Sequence, residues 1–236
     1  MKPEEYWHQA GEAGYDNTYY VSHDVGEHLS RRLRALAVDI AGQIGIRADA
    51  RVLDLGCGDG SFANTVLART YQYVHGCDLS EGGIRRAQES AELSNVQFEV
   101  CDLRNLKFRD DERYGGAFLM GILHHVKQAT PEIVRKLREV TDKVVVLEPN
   151  GNHLLRKALE LTPSYRAAGE DSFKTAELEA IFKDAGFRRP VWQRVNLFPN
   201  FTPRWVFRAL RFAEPACESS SILRALCTVN MWGFAA

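Results

Sequence analysis

The sequence predicts an α/β protein built on a doubly wound, mostly parallel sheet of seven strands. Three observations carry that prediction. Short apolar runs alternate with amphipathic stretches of about ten residues, the order of βαβ units whose sheet is covered on both faces. Three of the runs stop at Gly56, Asp78 and Asp102, and the carboxyl ends of adjacent parallel strands are where open sheets of this class bind ligands. The 236 residues, 45% hydrophobic and 26% charged, suit one good core and exclude a disordered or fibrous chain.

Residues 1–23 are aromatic and polar (Tyr6, Trp7, Tyr15, Tyr19, Tyr20) without a clear period. From Asp24 a helix is expected: Leu29, Leu33, Leu36, Ala37 and Ile40 recur at helical spacing, with Arg31, Arg32 and Arg34 on the other face. Gly42 and Gly45 end it. Arg51–Leu55, Val74–Cys77, Val96–Val100, Ala117–Met120 and Lys143–Leu147 then read as five strands. Helices are expected between them over Ser61–Arg69, over Glu81–Ser90 with Ser80 as N-cap, in a short stretch around 104–110, and over Pro131–Val140. The last has Thr130 at the cap and Pro131 at the first helical position. Further on, a helix reaches about Leu161, another spans Thr175–Ala185 and closes at Gly186, and Val191–Phe198 and Leu226–Phe234 are the sixth and seventh strands. There is no internal repeat. The expected organisation is a single domain, 1–236: N-terminal lid helices in 1–48, a core over 49–198, a cap insert over 199–225, and the last strand over 226–236.

The segment Val52-Leu-Asp-Leu-Gly-Cys-Gly-Asp-Gly-Ser61 is the most informative. A strand enters three glycines at alternate positions and a helix follows at once. Such a turn lets a ligand approach the backbone and presents N–H groups at a helix start. The dinucleotide fingerprint G-x-G-x-x-G is not met, because Ser61 stands at the third glycine position. Asp54 and Asp59 would repel a pyrophosphate, whereas a ligand carrying an ammonium and a sulfonium is favoured beside them. The pattern therefore leans away from NAD. Asp78 lies 22 residues after Gly56, where an acid can accept both hydroxyls of a ribose. Asp102 ends the third strand, where a carboxylate can take a hydrogen bond from an adenine amino group.

"VLDLGCGDGS", then "GCDLS", then "CDL" before the fourth strand and "GILHHV" after it resemble the class I S-adenosylmethionine-dependent methyltransferases. The resemblance covers about residues 50–190, and its specific part is the glycine loop with Asp78. It implies a Rossmann-like methyltransferase fold with an antiparallel last strand, and S-adenosyl-L-methionine as cofactor. Carried over by position, Asp54, Gly56, Cys57 and Gly58 would line the methionine end. Asp78 would hold the ribose, with Leu79 on the adenine; Asp102 and Leu103 would meet the adenine edge, and the backbone near Met120 would face the methionine moiety. One departure stands before the fourth strand, where the family shows an aromatic-Asp pair and this chain has Tyr114-Gly115.

Methyl transfer is an in-line displacement at an already activated carbon, so positioning is the main task. A general base helps when the acceptor must lose a proton. His124 and His125, after the fourth strand, are the first candidates, since imidazole titrates near neutral pH. Glu148 is the second, and His23 and Tyr20 the third. No metal is expected, because no ligand set has metal spacing. The expectation is methyl transfer to a small molecule, with O-methylation favoured over C- or N-methylation. The alternative is a non-catalytic S-adenosylmethionine-binding sensor or subunit. No Pro-Pro-aromatic motif follows the fourth strand, so nucleobase amines are not favoured acceptors.

The net charge of −1 opposes a general nucleic-acid binder, but it conceals an asymmetry. Residues 185–211 carry Arg188, Arg189, Arg194, Arg204, Arg208 and Arg211 and no acid, so this stretch is +6 and the remainder −7. Arg204, Arg208 and Arg211 share one helix face, and Trp205, Ala209 and Phe212 lie on an adjoining one. Such a helix can lie on a membrane surface or cover an anionic, partly apolar substrate. The insert is thus expected to be a substrate cap, its acceptor anionic or lipid-linked, with peripheral membrane contact through 199–225. Five cysteines without a close CxxC pairing suggest a reducing, cytoplasmic compartment.

Overall fold

A computed structural model describes residues 23–109, 111–162, 171–199 and 202–236. The expectations for 1–22, including the lid before His23 and the role of Tyr20, lie outside the described residues. Seven strands form one sheet in the order β3-β2-β1-β4-β5-β7-β6. They are β1 Arg51–Leu55, β2 Tyr73–Asp78, β3 Val96–Val100, β4 Gly116–Met120, β5 Lys143–Pro149, β6 Arg188–Val195 and β7 Val229–Ala235. Neighbours from β3 through β5 run parallel, whereas β7 is antiparallel to both β5 and β6. The carboxyl ends of β1 to β6 therefore share one edge, and β7 starts from it.

The side-chain alternation of a strand explains why these runs are apolar on both faces. Val52 of β1, Phe118 of β4, Val145 of β5 and Met231 of β7 pack under α1 His23–Gln43, α2 at 61–70 and α3 Glu81–Glu89. The residues between them, Leu53, Ala117, Leu119, Val144, Val146 and Trp232, face α4 Thr130–Val140 and α6 Thr175–Asp184. With both faces covered, the central strands are apolar along their middles, and polar residues such as Asp54 and Glu148 stand towards their carboxyl ends. Phe118 is fully buried, edge-on to Phe62 at 5.7 Å, and a burial of that size contributes about 2–3 kcal/mol. Gly115 answers the departure noted in the sequence. Its amide donates to Arg51 O, and a Cβ there would lie 2.6 Å from that of Ala50.

Several boundaries differ from expectation. Among its described residues the stretch 104–110 holds only part of a 3-10 turn, Leu103–Asn105, because Leu103 and Leu106 are drawn into the core. Thr130 is the first residue of α4, not its cap; its hydroxyl donates back to Leu123 O and Val126 O. The sixth strand begins at Arg188 and stops at Val195, where Asn196 takes φ +69°. The seventh begins at Val229, since Leu223–Leu226 closes into a 3-10 turn.

Short α5 Leu154–Leu159 follows β5. The insert between β6 and β7 carries α7 Arg204–Leu210 and α8 Glu214–Ser219. It is clasped to α1. Glu214 accepts from Leu197 N and pairs with His28 and Arg32, and Glu218 accepts from Asn196 N and Arg32. Phe207 fills the hollow between Phe198 and the His28 ring. Arg204 and Arg208 both bond Asp24 at 2.7 and 3.2 Å, so two arginines of the basic face are engaged by α1.

Candidate functional site

β1 ends at Leu55 and the chain turns through Gly56, Gly58 and Gly60, all at positive φ. Gly56 is obligatory twice over: at φ +75° an L side chain is strained, and its Cβ would lie 2.4 Å from Ile122 Cγ1. This contact locks the loop to the segment after β4. From the other side α3 presses in, with the Cβ position of Gly83 only 2.9 Å from Gly58 O. The amides of Gly56 and Cys57 both donate to Cys77 O, closing the loop on the end of β2. The Cys57 side chain is buried, its thiol pushed up by burial and then by Asp54 and Asp78. Only the Cys57 backbone is thus available to a ligand.

Asp78 ends β2 beside this loop. Its two oxygens accept from Gly58 N and Ser80 N, each at 2.9 Å, which fixes the carboxylate between loop and α3. Ser80 in turn caps α3 by accepting from Gly83 N, as expected. Leu79 is half-buried at the strand end. Asp54, on β1, is 1% exposed, and among the described residues its Oδ2 has no hydrogen-bond donor. Burial, then the charge of Asp78, pushes its carboxyl up to about 7, opposed by Arg34. A buried acid with an orphaned oxygen is costly unless a cation meets it. That donor set fits an ammonium-bearing ligand and opposes a pyrophosphate.

Asp102 is farther out on the same edge. It accepts from Arg104 N, Arg104 Nε and Asn105 Nδ2, and the Arg104 guanidinium, foremost, holds its carboxyl below the usual range. Leu103 does not offer its side chain to this surface, because it is buried in the core. Only its backbone stands at the edge.

The second cluster lies after β4. Met120 is half-buried, Gly121 turns at φ +75°, and a 3-10 turn carries Leu123–His125. Glu148, fully buried at the end of β5, accepts from Leu123 N at 2.8 Å and from His124 Nδ1 at 2.6 Å. Where Glu148 is ionised it only accepts, and the His124 proton in this bond then sits on Nδ1. His125 lies against it, ring centroids 3.9 Å apart, and is half-buried. Ile122, held against Gly56, joins this corner to the glycine loop. His23 stands exposed at the start of α1.

Arg34, expected on the face of α1 away from the apolar stripe, instead stands at this site. Its Nη2 donates to Ser61 Oγ at 2.9 Å, and its charge acts on Asp54. The signal was present: Arg34, Ala37 and Ala41 follow at three and four, and both alanines are fully buried, so Arg34 extends the inner stripe. Also unforeseen is the polar row Glu148, Asn230 and Arg194, in register across β5, β7 and β6. Asn230 Oδ1 accepts from Trp192 Nε1 and Arg194 Nε.

Comparison with known proteins agrees with this geometry. A family profile described as "Methyltransferase domain" matches residues 52–144. The chain is 26% identical over 206 residues to 27-O-demethylrifamycin SV methyltransferase of Amycolatopsis mediterranei, covering 80% of this chain and 72% of that one. It is 27% identical over 158 residues to an S-adenosyl-L-methionine-dependent Diels-Alderase of Talaromyces variabilis, covering 65% of this chain and 51% of that one. The chain thus spans about half to seven-tenths of the length of these curated relatives. Among solved structures it superposes on magnesium protoporphyrin IX methyltransferase from Synechocystis PCC 6803 with bound SAH. The TM-score is 0.61 at 18% identity, over 90% of this chain and 85% of that one.

Proposed function

We propose that the chain is a class I S-adenosylmethionine-dependent methyltransferase that methylates a small-molecule acceptor at oxygen, with His124 as general base. The observation that carries this is the buried Glu148–His124 pair beside the glycine loop. The relative known as 27-O-demethylrifamycin SV methyltransferase supports the choice of oxygen.

When bound, the cofactor supplies an electrophilic methyl group on a positively charged sulfur. The chain's own residues do the rest. Asp54 meets the ammonium and Arg34 balances the acidic pocket. The backbone of Gly56, Cys57 and Gly58 would line the methionine end, as would the backbone near Met120. Asp78 accepts from the ribose hydroxyls, Leu79 packs on the adenine, and Asp102 and the Leu103 backbone take its edge. Holding the acceptor in line supplies most of the rate. Glu148 fixes the His124 tautomer so that Nε2 can take the hydroxyl proton as the oxygen becomes nucleophilic. His125 walls the same corner. The segment 199–225 serves as the cap over this edge, tied to α1 through Arg32.

The test is transfer of a labelled methyl group from S-adenosylmethionine into fractionated small-molecule extracts, with the product hydrolysed to locate the label. Label on oxygen supports the reading. Tight binding of S-adenosylhomocysteine without any transfer would instead support a sensor or subunit, and binding of NAD alone would end both.

A pH dependence follows from Asp54. Its carboxyl is raised to about 7, so the free protein holds it protonated below that pH, whereas an ammonium ligand pairs with the ionised form. Affinity for S-adenosylhomocysteine should therefore fall about tenfold per pH unit below about 7 and level off above it. In the free protein the sign is opposite. Stability from this group is full below its ordinary value of 3.8 and is lost as pH rises through about 7. Calorimetric titration from acid to alkaline pH checks the first statement. Flat affinity across the range would remove Asp54 from the ammonium site.

A further inference from the structure

The outward face of the insert is unlike the remainder of the surface. Six of the ten exposed large apolar side chains among the described residues lie within 205–226: Trp205, Leu210, Phe212, Ile222, Leu223 and Leu226. Trp205 on α7 and Phe212 on the 3-10 turn Arg211–Ala213 that follows it are 75% and 77% exposed, whereas Phe207 between them is buried. The acids of this stretch are turned the other way. Glu214 and Glu218 are its only carboxylates, and both are consumed inward by His28, Arg32 and the amides of Asn196 and Leu197.

The arginines remain outward. Arg204 and Arg208 share the single carboxylate of Asp24, and both stay more than half exposed. Arg211 is exposed and stands over the Phe212 ring at 5.0 Å, with no carboxylate partner among the described residues. Among the described residues the Arg224 guanidinium donates to Ser220 O and meets no carboxylate. The outer surface of 203–226 is therefore apolar and cationic, with no carboxylate of its own facing out.

We infer that this face docks on a lipid bilayer bearing anionic headgroups. Exposed Trp and Phe with flanking Arg are the chemistry of an interfacial segment: the rings enter the headgroup boundary and the guanidiniums meet phosphates. A second copy of the chain fits worse, because a two-fold contact would set this cationic face against itself. The insert leaves the carboxyl end of β6 and returns to the start of β7, on the edge that carries the glycine loop and His124. Docking thus brings the site's edge to the membrane, where an apolar acceptor concentrates. The surface stands independently of which atom is methylated.

The experiment is co-sedimentation of the full chain with phosphatidylcholine vesicles, with and without phosphatidylglycerol. Expected is retention on the anionic vesicles that weakens with salt and falls about tenfold in Arg211→Glu and in Trp205→Ala/Phe212→Ala. Because these side chains are exposed, the variants should fold and bind S-adenosylhomocysteine as the parent does, which separates a lost surface from a lost site. Absence of retention on anionic vesicles overturns the inference. So does equal retention of parent and variants, or a concentration-dependent dimer that the double variant abolishes.

Discussion

Replacing Asp78 with alanine should weaken S-adenosylhomocysteine binding by roughly a hundredfold or more. Hydrogen bonds to a charged acceptor contribute about 1.5–3 kcal/mol each, and the ribose hydroxyls present two. The loss is compounded locally, because Gly58 N and Ser80 N lose the acceptor that holds them. The glycine loop is then free to shift where Ile122 and Gly83 pack on it. Asp78→Asn should fall between the two, since one amide oxygen remains but the amino group faces a backbone N–H. Asp102→Ala provides the contrast. Its carboxylate is partly exposed and already satisfied by Arg104 and Asn105, so the change should cost less than about tenfold. Calorimetry on variants with parental thermal melting decides. Asp78→Ala binding within threefold of the parent would move the ribose elsewhere.

The difference between those two acids shows what was legible in the residues and what was not. Strand ends, and hence the edge where Asp54, Asp78 and Asp102 gather, follow from local patterning. β3 was expected and found over Val96–Val100, because its alternation is bounded on both sides by polar turns. β6 was misplaced because its opening, Arg188-Arg189-Pro190, has no apolar signal. It is an edge strand with a register shift between Arg188 and Val191, a place where proline and charge are tolerated. Partnerships across long sequence distance left no local trace. The basic face of α7 was visible as spacing, but Asp24, 180 residues from Arg204, decides that two of its arginines brace the cap on α1. Equally, nothing near Asp102 in the pattern announced that Arg104 folds back onto it. Glycine spacing announced the loop, but not the separate packing reason for each glycine.

The second large effect concerns catalysis. His124→Gln should leave S-adenosylhomocysteine affinity within about twofold and lower kcat by about 10²–10⁴ with an oxygen acceptor. Buried His124 reaches Glu148 at 2.6 Å, and glutamine keeps a donor of similar reach to that carboxylate while removing the imidazole proton acceptor. Glu148→Gln tests the positioning step separately. Its amide oxygen can still accept from Leu123 N, as Glu148 Oε1 does at 2.8 Å, but its amino group then faces His124 Nδ1 and selects the opposite tautomer, with Nε2 protonated. The result should be a comparable loss in kcat without loss of fold, as when a carboxylate that orients a catalytic histidine is made an amide. The pH profile distinguishes base from scaffold. The parent should lose kcat on the acid side as a general base does, and His124→Gln should have a low rate that lacks this limb. Should His124→Gln retain kcat within threefold, the acceptor needs no base from this pair. The corner would then be structural, with the Glu148–Leu123 bond fixing the turn after β4 against the glycine loop.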